Sequence, residues 1–460
     1  MQSTEAYPGG IINFYDLYWP AIFLSITAVI IIILSLFRVT KSWVFFATIA
    51  GIVSHLLIFP GLPSEGPWTT NVIDAFTNDM KTIVGLASLV TVVISGRKQR
   101  MEYYLMILSV LIGAELLMVS PQFIMILLSL ELISISSYVL VAGTDANRQR
   151  AEAAWKFFLF GSVATAVMIF GITYLYGATG EISIHTLKGS PLNFVGGIML
   201  LSGFLFKMSS APFHLWAPDV YEAAPVPVVA FLSVVPKLAG FTIVMNWLGS
   251  NPEGWPAIIA VFAILTIIIG TLAAISQSNA KRMMAYSSIA QAGFLLIVPV
   301  YSANVHDRLS SFYALIFAIA NFVVFAVIHQ QEKSGRGTNF SDFNGIGYTN
   351  PFAAVAVTLG LLSLAGIPPV AGLMAKLFVF SGVWTKYIST GSPIFISLFV
   401  IGLLATVASL FFYLKIPFYA FLRRSEGNEP IKIPFLTNLL LVILVGLLLA
   451  LFFAPGIWTS

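Results

Sequence analysis

Runs of about twenty apolar residues, separated by short polar stretches, fill most of the chain. A bilayer core about 30 Å thick is crossed by about 20 residues of α-helix. The runs lack the strict two-residue alternation of membrane strands, which argues against a β-barrel. The pattern therefore predicts an all-α polytopic membrane protein with about 14 transmembrane helices. The predicted segments are 14–37, 42–59, 77–95, 102–119, 121–142, 152–176, 191–217, 226–248, 256–276, 284–301, 309–330, 351–388, 393–421 and 433–455.

Two of these segments contain residues that break helices. Segment 191–217 contains Pro212, and segment 351–388 contains the run GIPPVAG. Proline removes a backbone donor and clashes with the preceding turn, so each helix is expected to be interrupted. A simple kink is the alternative for either break taken alone. One broken helix in each half is typical of inverted-repeat transporters, and it predicts repeat halves at 102–248 and 256–421.

The few charged residues predict the orientation of the chain. Only 9% of the residues are charged, whereas 58% are hydrophobic. Loops after odd-numbered segments hold fourteen Lys and Arg residues, and the other loops hold three. Because basic residues collect in short cytoplasmic loops, both termini are predicted on the periplasmic side of a prokaryotic inner membrane. Reading 351–388 as two helices would place Arg423 and Arg424 outside, so one broken helix is predicted there.

The other six basic residues lie inside or at the edge of predicted helices: Lys81, Lys156, Lys207, Lys237, Lys376 and Lys415. A lysine at bilayer depth costs roughly 2.5 to 3.5 kcal/mol on insertion scales, and it usually faces a bundle interior or a wet cavity. Glu131 is central in segment 121–142, with Ser134 on the same helix face. A Glu and a Lys on different helices can form a proton switch, or they can form a static ion pair that pins the helices. Several such groups beside two broken helices favour ion or proton transport.

Five sequence blocks resemble one known family in order. The blocks are LLSLELISISSYVL at 127–140, EAAWKFFLFGSVATAVMIFGITYLYGATG at 152–180, PFHLWAPDVYEAAPVPVVAFLSVVPKLAGF at 212–241, KRMMAYSSIAQAGF at 281–294 and GIPPVAGLMAKLFVF at 366–380. They resemble the antiporter-like membrane subunits of complex I, the NADH-quinone oxidoreductase of respiratory chains. The portion DVYEAAP is most similar to the subunit N branch of that family.

The resemblance implies roles for individual residues. Glu131 and Lys207 correspond to the gating pair, Lys237 to a central relay, and Lys376 to the outlet side of the proton path. Relatives of subunits L and M often carry histidine in the block SSIxHxG, where this chain has Gln291. Glutamine conducts only through its hydrogen bonds, because it does not titrate near neutral pH. The step from Lys237 to Lys376 is therefore expected to use water and three polar side chains, namely Ser287, Ser288 and Gln291.

Four further positions have open alternatives. Glu115 is either an additional proton site near Glu131 or a residue of the outer interface. Lys156 either tunes Glu131 or snorkels to the interface. His214 either serves proton uptake or packs against its neighbours in the break. Lys415 resembles a basic position that links to the next subunit, with snorkelling as the alternative.

The chain has no cysteine, so it has no thiolate ligands for an iron-sulfur cluster and no disulfide. It also has no GxGxxG or GxxxxGK[ST] run, which argues against a nucleotide site. We therefore expect no cofactor in this chain. The resemblance implies that flavin, iron-sulfur clusters and quinone bind in partner subunits. The net charge of +4 reflects the cytoplasmic loops and does not indicate a nucleic-acid partner.

The sequence thus predicts a non-redox, proton-translocating subunit of a proton-translocating NADH:quinone oxidoreductase. Quinone reduction elsewhere in the complex would drive proton transfer along the intramembrane Glu and Lys residues. The expected partners are an M-type antiporter-like subunit, small K/J-type membrane subunits, membrane lipid and, indirectly, the hydrophilic redox arm. The alternatives are a subunit of a multi-subunit cation/proton antiporter of the Mrp type and a purely structural spacer.

Overall fold

A computed structural model describes residues 14–37, 40–58, 75–143, 147–181, 183–184, 191–250, 254–301, 308–423 and 433–459. Within these ranges the regular structure is helical, apart from two isolated β-bridges. The α-helices are α1 Phe14–Leu36, α2 Lys41–Ile58, α3 Ala75–Ser95, α4 Met101–Val119, α5 Phe123–Ala142, α6 Arg148–Thr179, α7 Pro191–Lys207, α8 Ala217–Ala223, α9 Val226–Ser250, α10 Trp255–Ile275, α11 Ala280–Tyr301, α12 Arg308–Lys333, α13 Ile346–Thr349, α14 Pro351–Ala365, α15 Gly372–Thr390, α16 Pro393–Tyr413, α17 Lys415–Leu422, α18 Phe435–Phe453 and α19 Gly456–Thr459. A 3₁₀-helix, Phe340–Phe343, lies between α12 and α13.

The prediction of an all-α membrane protein is confirmed. Among the described residues, 11 helical stretches are long and apolar enough to cross a membrane. Shorter apolar helices at Tyr18–Leu34, Pro191–Lys207 and Pro351–Ala365 match the other three predicted segments. Each of the fourteen predicted segments therefore coincides with helix. Segments 191–217 and 351–388 are interrupted as described below, and segment 393–421 is divided at Leu414 between α16 and α17.

Three helices form the centre of the bundle: α9, α11 and α12. The most apolar stretches of α9 and α12 are entirely buried within the chain, and that of α11 is 94% buried. By contrast, only 28% of the corresponding stretch of α2 or α6 is buried, so these helices present apolar faces outward. The central helices carry several of the predicted site residues, so these side chains lie far from lipid.

The first break follows Lys207, where α7 ends instead of continuing to residue 217. The chain then turns through nine residues before α8 begins at Ala217. The backbone N–H of Ala211 in this turn donates to Thr266 Oγ1 of α10 at 3.0 Å. Interrupted backbone at membrane depth is tolerated where protein groups satisfy it. A neighbouring helix thus stabilises this interruption.

The second break separates α14 from α15. Gly366 adopts a left-handed conformation with φ of +84° and ends α14, as glycine commonly does at helix C-termini. Gly372 begins α15 against the Ser363 carbonyl, and an added Cβ would lie 1.7 Å from that oxygen. The freed N–H of Ala371 donates to the Leu448 carbonyl of α18 at 2.9 Å. The two glycines therefore allow the two half-helices to meet closely.

Candidate functional site

The four predicted proton-transfer residues lie on four different helices. Glu131 is on α5, Lys207 ends α7, Lys237 is on α9 and Lys376 is on α15. The three lysines are 6%, 0% and 3% exposed, whereas Glu131 is half-buried. Within the described chain, none of these lysines lies within 4.0 Å of a carboxylate oxygen. Their amines are held by hydroxyl and carbonyl oxygens instead.

Lys207 contacts α5, the helix that carries Glu131, at a position one helical turn from the glutamate. Thr165 of α6 donates its hydroxyl hydrogen to Glu131 Oε1 at 2.5 Å. Lys207 Nζ donates to Ser134 Oγ, which lies one helical turn along α5 from the glutamate. The expected gating pair is therefore not joined as a direct ion pair in this state. The Ser134 hydroxyl, and not the Glu131 carboxylate, is the hydrogen-bond partner of the Lys207 amine.

Lys237 lies directly after Pro236 in α9 and is completely buried. Its Nζ donates to Ser288 of α11 twice, to the carbonyl oxygen at 2.5 Å and to Oγ at 2.7 Å. The same Ser288 hydroxyl lies 3.2 Å from the Tyr221 hydroxyl of α8. Ser288 thus connects the central lysine to the short helix that follows the first break.

Gln291 lies one turn beyond Ser288 on α11, and both ends of its amide are used. Its Nε2 donates to the Leu364 carbonyl at 2.9 Å and to the Tyr413 hydroxyl at 3.2 Å. Its Oε1 accepts from the Tyr313 hydroxyl at 2.5 Å. Ser287 Oγ lies 2.5 Å from the Tyr413 hydroxyl. A connected polar cluster therefore occupies the interval between Lys237 and Lys376.

Lys376 lies beside the second break. Its Nζ donates to the Ala365 carbonyl at 2.9 Å and to Thr406 Oγ1 at 3.4 Å. The amine also lies 4.6 Å from the centroid of the Phe294 ring, a cation–π distance. An added Cβ at Gly366 would lie 2.7 Å from Lys376 Cδ, so the glycine makes room for the lysine stem. The last carbonyl of α14 is thus an acceptor for this amine.

A cavity of about 10 Å³ lies between Gln291 and Lys376. Tyr313, Ser363 and Phe317 also line it. A cavity of this size holds about one water molecule. The ring of Phe317 lies 6.0 Å from Lys237 Nζ, so one aromatic side chain faces both the central lysine and the cavity. The cavity therefore brings Lys376 and Gln291 to one small space lined by the hydroxyls of Tyr313 and Ser363.

Lys156 does not contact Glu131. Its Nζ forms ion pairs at 2.9 Å with Glu152 on its own helix and with Asp219 of α8. Arg282 of α11 also pairs with Asp219, at 3.1 Å, and with Glu222, at 2.6 Å. Burial alone would raise the pKa of the Asp219 carboxyl, but its hydrogen bonds and charge pairs with Lys156 and Arg282 outweigh this and lower it. These ion pairs tie α8 to α6 and α11.

His214 lies in the first break, and Lys415 lies where α10 ends. His214 is largely buried, and its carbonyl accepts from the N–H of Ala217. Lys415 Nζ donates to the carbonyls of Ile275, at 2.5 Å, and Gln277, at 3.1 Å, where α10 ends. A lysine satisfies helix-terminal carbonyls in this way and interacts favourably with the negative end of the helix dipole. Lys415 is therefore placed as a cap of α10.

Glu115 is buried on α4 and faces α2 and α3. Its Oε1 lies 3.3 Å from His55 Nε2, and its Oε2 lies 3.7 Å from Lys81 Nζ. The two partners come from segments predicted to flank the same loop. Glu131 lies on the adjacent α5 but hydrogen-bonds in another direction, to Thr165. The structure therefore places Glu115 in a separate ionisable cluster.

Comparison with known proteins identifies the family. The family described as "NADH:quinone oxidoreductase/Mrp antiporter, TM" matches residues 120–406, which include all four predicted proton-transfer residues. The chain belongs to this family. It is 33% identical to NADH-quinone oxidoreductase subunit N 2 of Chloroherpeton thalassium, over 95% of this chain and 92% of that protein.

Two solved structures share the fold of this chain. A chain of respiratory complex I from Thermus thermophilus matches with a TM-score of 0.83 and 30% identity, covering 95% of this chain and 97% of that one. A chain of the Mrp complex from Dietzia sp. DQ12-45-1b matches with a TM-score of 0.85, covering 96% of this chain and 95% of that one. The identity to that chain is only 18%, so this second likeness shows a shared fold alone. The closer sequence similarity is to the subunit N relatives.

The sequence did not indicate several members of the polar cluster. Tyr313 and Tyr413 lie in apolar helices and look like packing residues, although a buried tyrosine hydroxyl usually has a hydrogen-bond partner. Thr165 and Thr406 lie in largely apolar helices that also carry other hydroxyl residues, so nothing in the sequence marks them out. The only available signal was a polar atom in an otherwise apolar helix, and it does not reveal the partner. Among the described residues, no three His, Cys, Asp or Glu side chains are grouped to hold a metal ion.

Proposed function

We propose that this chain is the proton-translocating, antiporter-like subunit N of an NADH-quinone oxidoreductase. The observation that carries the proposal is the set of three buried lysines and the half-buried Glu131 on four helices, in a chain that resembles subunit N over nearly its whole length. Flavin, iron-sulfur clusters and quinone would bind in partner subunits. The chain would contribute proton transfer without redox chemistry of its own.

The contacts of the lysines suit reversible protonation. Lys207 and Lys237 donate to serine oxygens, and Lys376 donates to a carbonyl and a threonine oxygen. Such oxygens accept hydrogen bonds from both an ammonium and a neutral amine, so each contact survives when a proton leaves. A carboxylate partner would instead favour the charged form alone. Each lysine can therefore take up and release a proton with little change in its surroundings.

The proposed sequence of groups follows the bundle. Glu131 and Lys207 act as the gate, whose opening and closing depends on whether the Lys207 amine contacts Ser134 or moves toward the glutamate. Lys237 then serves as the central relay through Ser288. Gln291 and the small cavity carry the proton to Lys376 on the outlet side. The direction of each transfer follows the conformational change imposed by quinone reduction.

We further propose repeat halves at 102–248 and 256–421. In each half a helix is broken beside a buried lysine, Lys207 in the first and Lys376 in the second. The charge distribution supports a multi-pass position in a prokaryotic inner membrane with both termini outside. The outward apolar faces of helices such as α2 and α6 suit lipid and neighbouring membrane subunits of the M and K/J types.

The test uses membranes that contain the assembled complex. Lys207→Met and Glu131→Gln are each expected to reduce proton pumping sharply, and quinone reduction falls with it where coupling is tight. Lys333→Met is the matched control, because Lys333 is exposed at the end of α12. Normal pumping in assembled Lys207→Met would contradict the proposal and support a structural spacer. Sodium-dependent exchange by the purified chain without redox partners would favour the Mrp-type antiporter.

A further inference from the structure

A second ionisable cluster lies apart from Lys207, Lys237 and Lys376. It consists of His55 on α2, Lys81 on α3 and Glu115 on α4, which are 3%, 9% and 2% exposed. The three helices come from the N-terminal part of the chain, and none of these residues contributes to the proposed path. Ionisable groups buried in membrane helices are costly and are by default functional candidates. This cluster, here called the HKE cluster, therefore needs its own explanation.

Close helix packing brings the HKE cluster together. Gly85 of α3 lies against α2, where an added Cβ would be 2.7 Å from Leu56 Cδ2 and 3.9 Å from His55 Cδ2. This glycine lets α2 and α3 approach each other closely beside His55. The cluster is thus built by the same packing that forms this part of the bundle.

The contacts of Glu115 leave one position open. Oε1 lies 3.3 Å from His55 Nε2, but Oε2 accepts no hydrogen bond from any described residue. Lys81 Nζ is 3.7 Å away, longer than the 2.7–2.9 Å typical of a charge-assisted hydrogen bond. A static ion pair would be expected to close this gap, since an unsatisfied buried oxygen is unfavourable. A carboxylate oxygen with an open position is instead suited to receive a proton or a water molecule.

The charges of the HKE cluster also suit proton binding. Lys81 and Glu115 alone would form a neutral pair, so pinning the helices needs no third ionisable group. A neutral His55 keeps the total charge at zero. One added proton, on the imidazole or on the carboxylate, makes the total +1, and its release to water restores the neutral cluster. The cluster can therefore alternate between two protonation states without leaving Glu115 unpaired.

The HKE cluster lies near one end of the bundle. His55 is close to the end of α2, Lys81 close to the start of α3 and Glu115 close to the end of α4. At 1.5 Å rise per residue, each lies roughly 5 to 9 Å from its helix terminus. The distribution of basic loops predicts that these termini face outward. A proton on the cluster is therefore within a short distance of the outer aqueous phase.

Other charged or titratable groups lie on the helices of the HKE cluster or on helices packed against them, and the hydrogen bonds described for these groups go to residues outside the HKE cluster. Asp79, two residues before Lys81, accepts from Ser311 of α12 at 2.7 Å. Tyr18 of α1 hydrogen-bonds with Ser120. Arg308 begins α12, Glu131 on α5 accepts from Thr165, and Lys237 on α9 donates to Ser288. The described groups thus leave His55 and Lys81 as the charged partners of Glu115.

We propose that His55, Lys81 and Glu115 form a proton-binding site that exchanges protons with the outer aqueous phase during pumping. The proposal rests on the proposed function, because it adds a site to a chain that already translocates protons. It differs from the proposed path in its helices and in its residues. A static ion pair that only holds α3 and α4 together is the competing explanation.

The double variant Lys81→Met/Glu115→Gln separates the two explanations in membranes containing the whole complex. Replacing both partners of a buried pair removes the charges without leaving one unpaired, so assembly is expected to be retained. We expect this variant to lose proton pumping although NADH oxidation remains measurable. Assembled complex that pumps normally would overturn the proposal in favour of the static pair. Thr91→Val on α3 is the matched control, because that buried hydroxyl bonds only to its own helix.

A second variant decides the matter if the double variant does not assemble. His55→Gln keeps the Lys81 and Glu115 charges and removes only the third titratable group. The number of protons released at the outer face per NADH oxidised is expected to fall, and an unchanged number would overturn the proposal. Lys207→Met measured in parallel distinguishes the failures. If it loses pumping while both cluster variants pump normally, only this inference fails, whereas normal pumping in Lys207→Met contradicts the proposed function itself.

Discussion

Replacement of Gln291 by leucine tests the narrowest part of the proposed path. The amide of Gln291 makes three hydrogen bonds, to the Leu364 carbonyl and to the hydroxyls of Tyr313 and Tyr413. Leucine has similar bulk but makes none of them. The adjacent cavity of about 10 Å³ holds about one water molecule, and a leucine of similar bulk to glutamine leaves no space for more. We therefore expect Gln291→Leu to interrupt transfer between Lys237 and Lys376.

The size of the effect follows from the contacts that are lost. A hydrogen bond to a charged group is worth about 1.5 to 3 kcal/mol, and a passing proton places charge on this cluster. Each 1.36 kcal/mol of barrier corresponds to about a tenfold change in rate. Loss of one such contact in the transfer step therefore slows it by about one to two orders of magnitude. Gln291→His is expected to retain pumping, because imidazole both donates and accepts hydrogen bonds.

The assay compares proton pumping with NADH oxidation in membranes whose complex is assembled. Asn321→Leu is the matched control. Asn321 is also a buried amide, but its Nδ2 donates only to the Phe317 carbonyl of its own helix. The control is expected to pump normally, whereas Gln291→Leu is expected to pump poorly. Equal pumping by Gln291→Leu and the parent chain would refute a proton step through this amide.

Two further predictions concern the second break and α8. Gly372→Ala places a Cβ 1.7 Å from the Ser363 carbonyl oxygen. The free energy of unfolding should therefore fall by about 1 to 3 kcal/mol, and proton pumping should fall with it. Gly446→Ala, with nothing within 4 Å, should leave both unchanged, and a harmless Gly372→Ala would contradict the close packing. The lowered pKa of Asp219 means that its ion pairs stabilise the chain above the ordinary carboxyl pKa and are lost as pH falls through the lowered value. Asp219→Asn should therefore reduce thermal stability at neutral pH by less than about 1 kcal/mol, since the group is partly exposed. That difference should vanish in acid, and a difference independent of pH would contradict the assignment.

The sequence predicts the number and position of the helices because bilayer thickness sets the length of each apolar run. Proline and glycine also predict both breaks, since their backbone effects are local. The end of α7 at Lys207 depends instead on Thr266, which satisfies the freed backbone from another helix. Such a contact joins residues 55 positions apart and leaves no local pattern. The exact extent of a broken helix is therefore a tertiary property.

The candidate site, like the fold, is predicted from the sequence only in part. Lysines inside apolar runs are easy to recognise in the sequence, because few other residues have such a high free energy of insertion into a membrane. Their partners are predicted less completely: Ser288 is expected near Lys237 from the resemblance, whereas the Ala365 carbonyl and Thr406 beside Lys376 are not indicated. Glu115 is the clearest example, since its partner His55 is 60 positions away and lies near a helix end. Sequence patterns therefore predict which groups are unusual, whereas packing decides which groups act together.

The end of α14 at the second break contacts both Gln291 and Lys376, the two residues that the proposed step from Lys237 to Lys376 joins last. Gln291 donates to the carbonyl of Leu364, and Lys376 donates to the carbonyl of the next residue, Ala365. Both acceptors are orphan carbonyls at the end of α14, which a helix terminus must satisfy from outside. A small movement of this terminus would therefore lengthen both hydrogen bonds at once. Because Gln291 lies on the buried α11 and Lys376 on α15, one displacement at the break can separate the proposed outlet lysine from the proposed relay without moving the central helices.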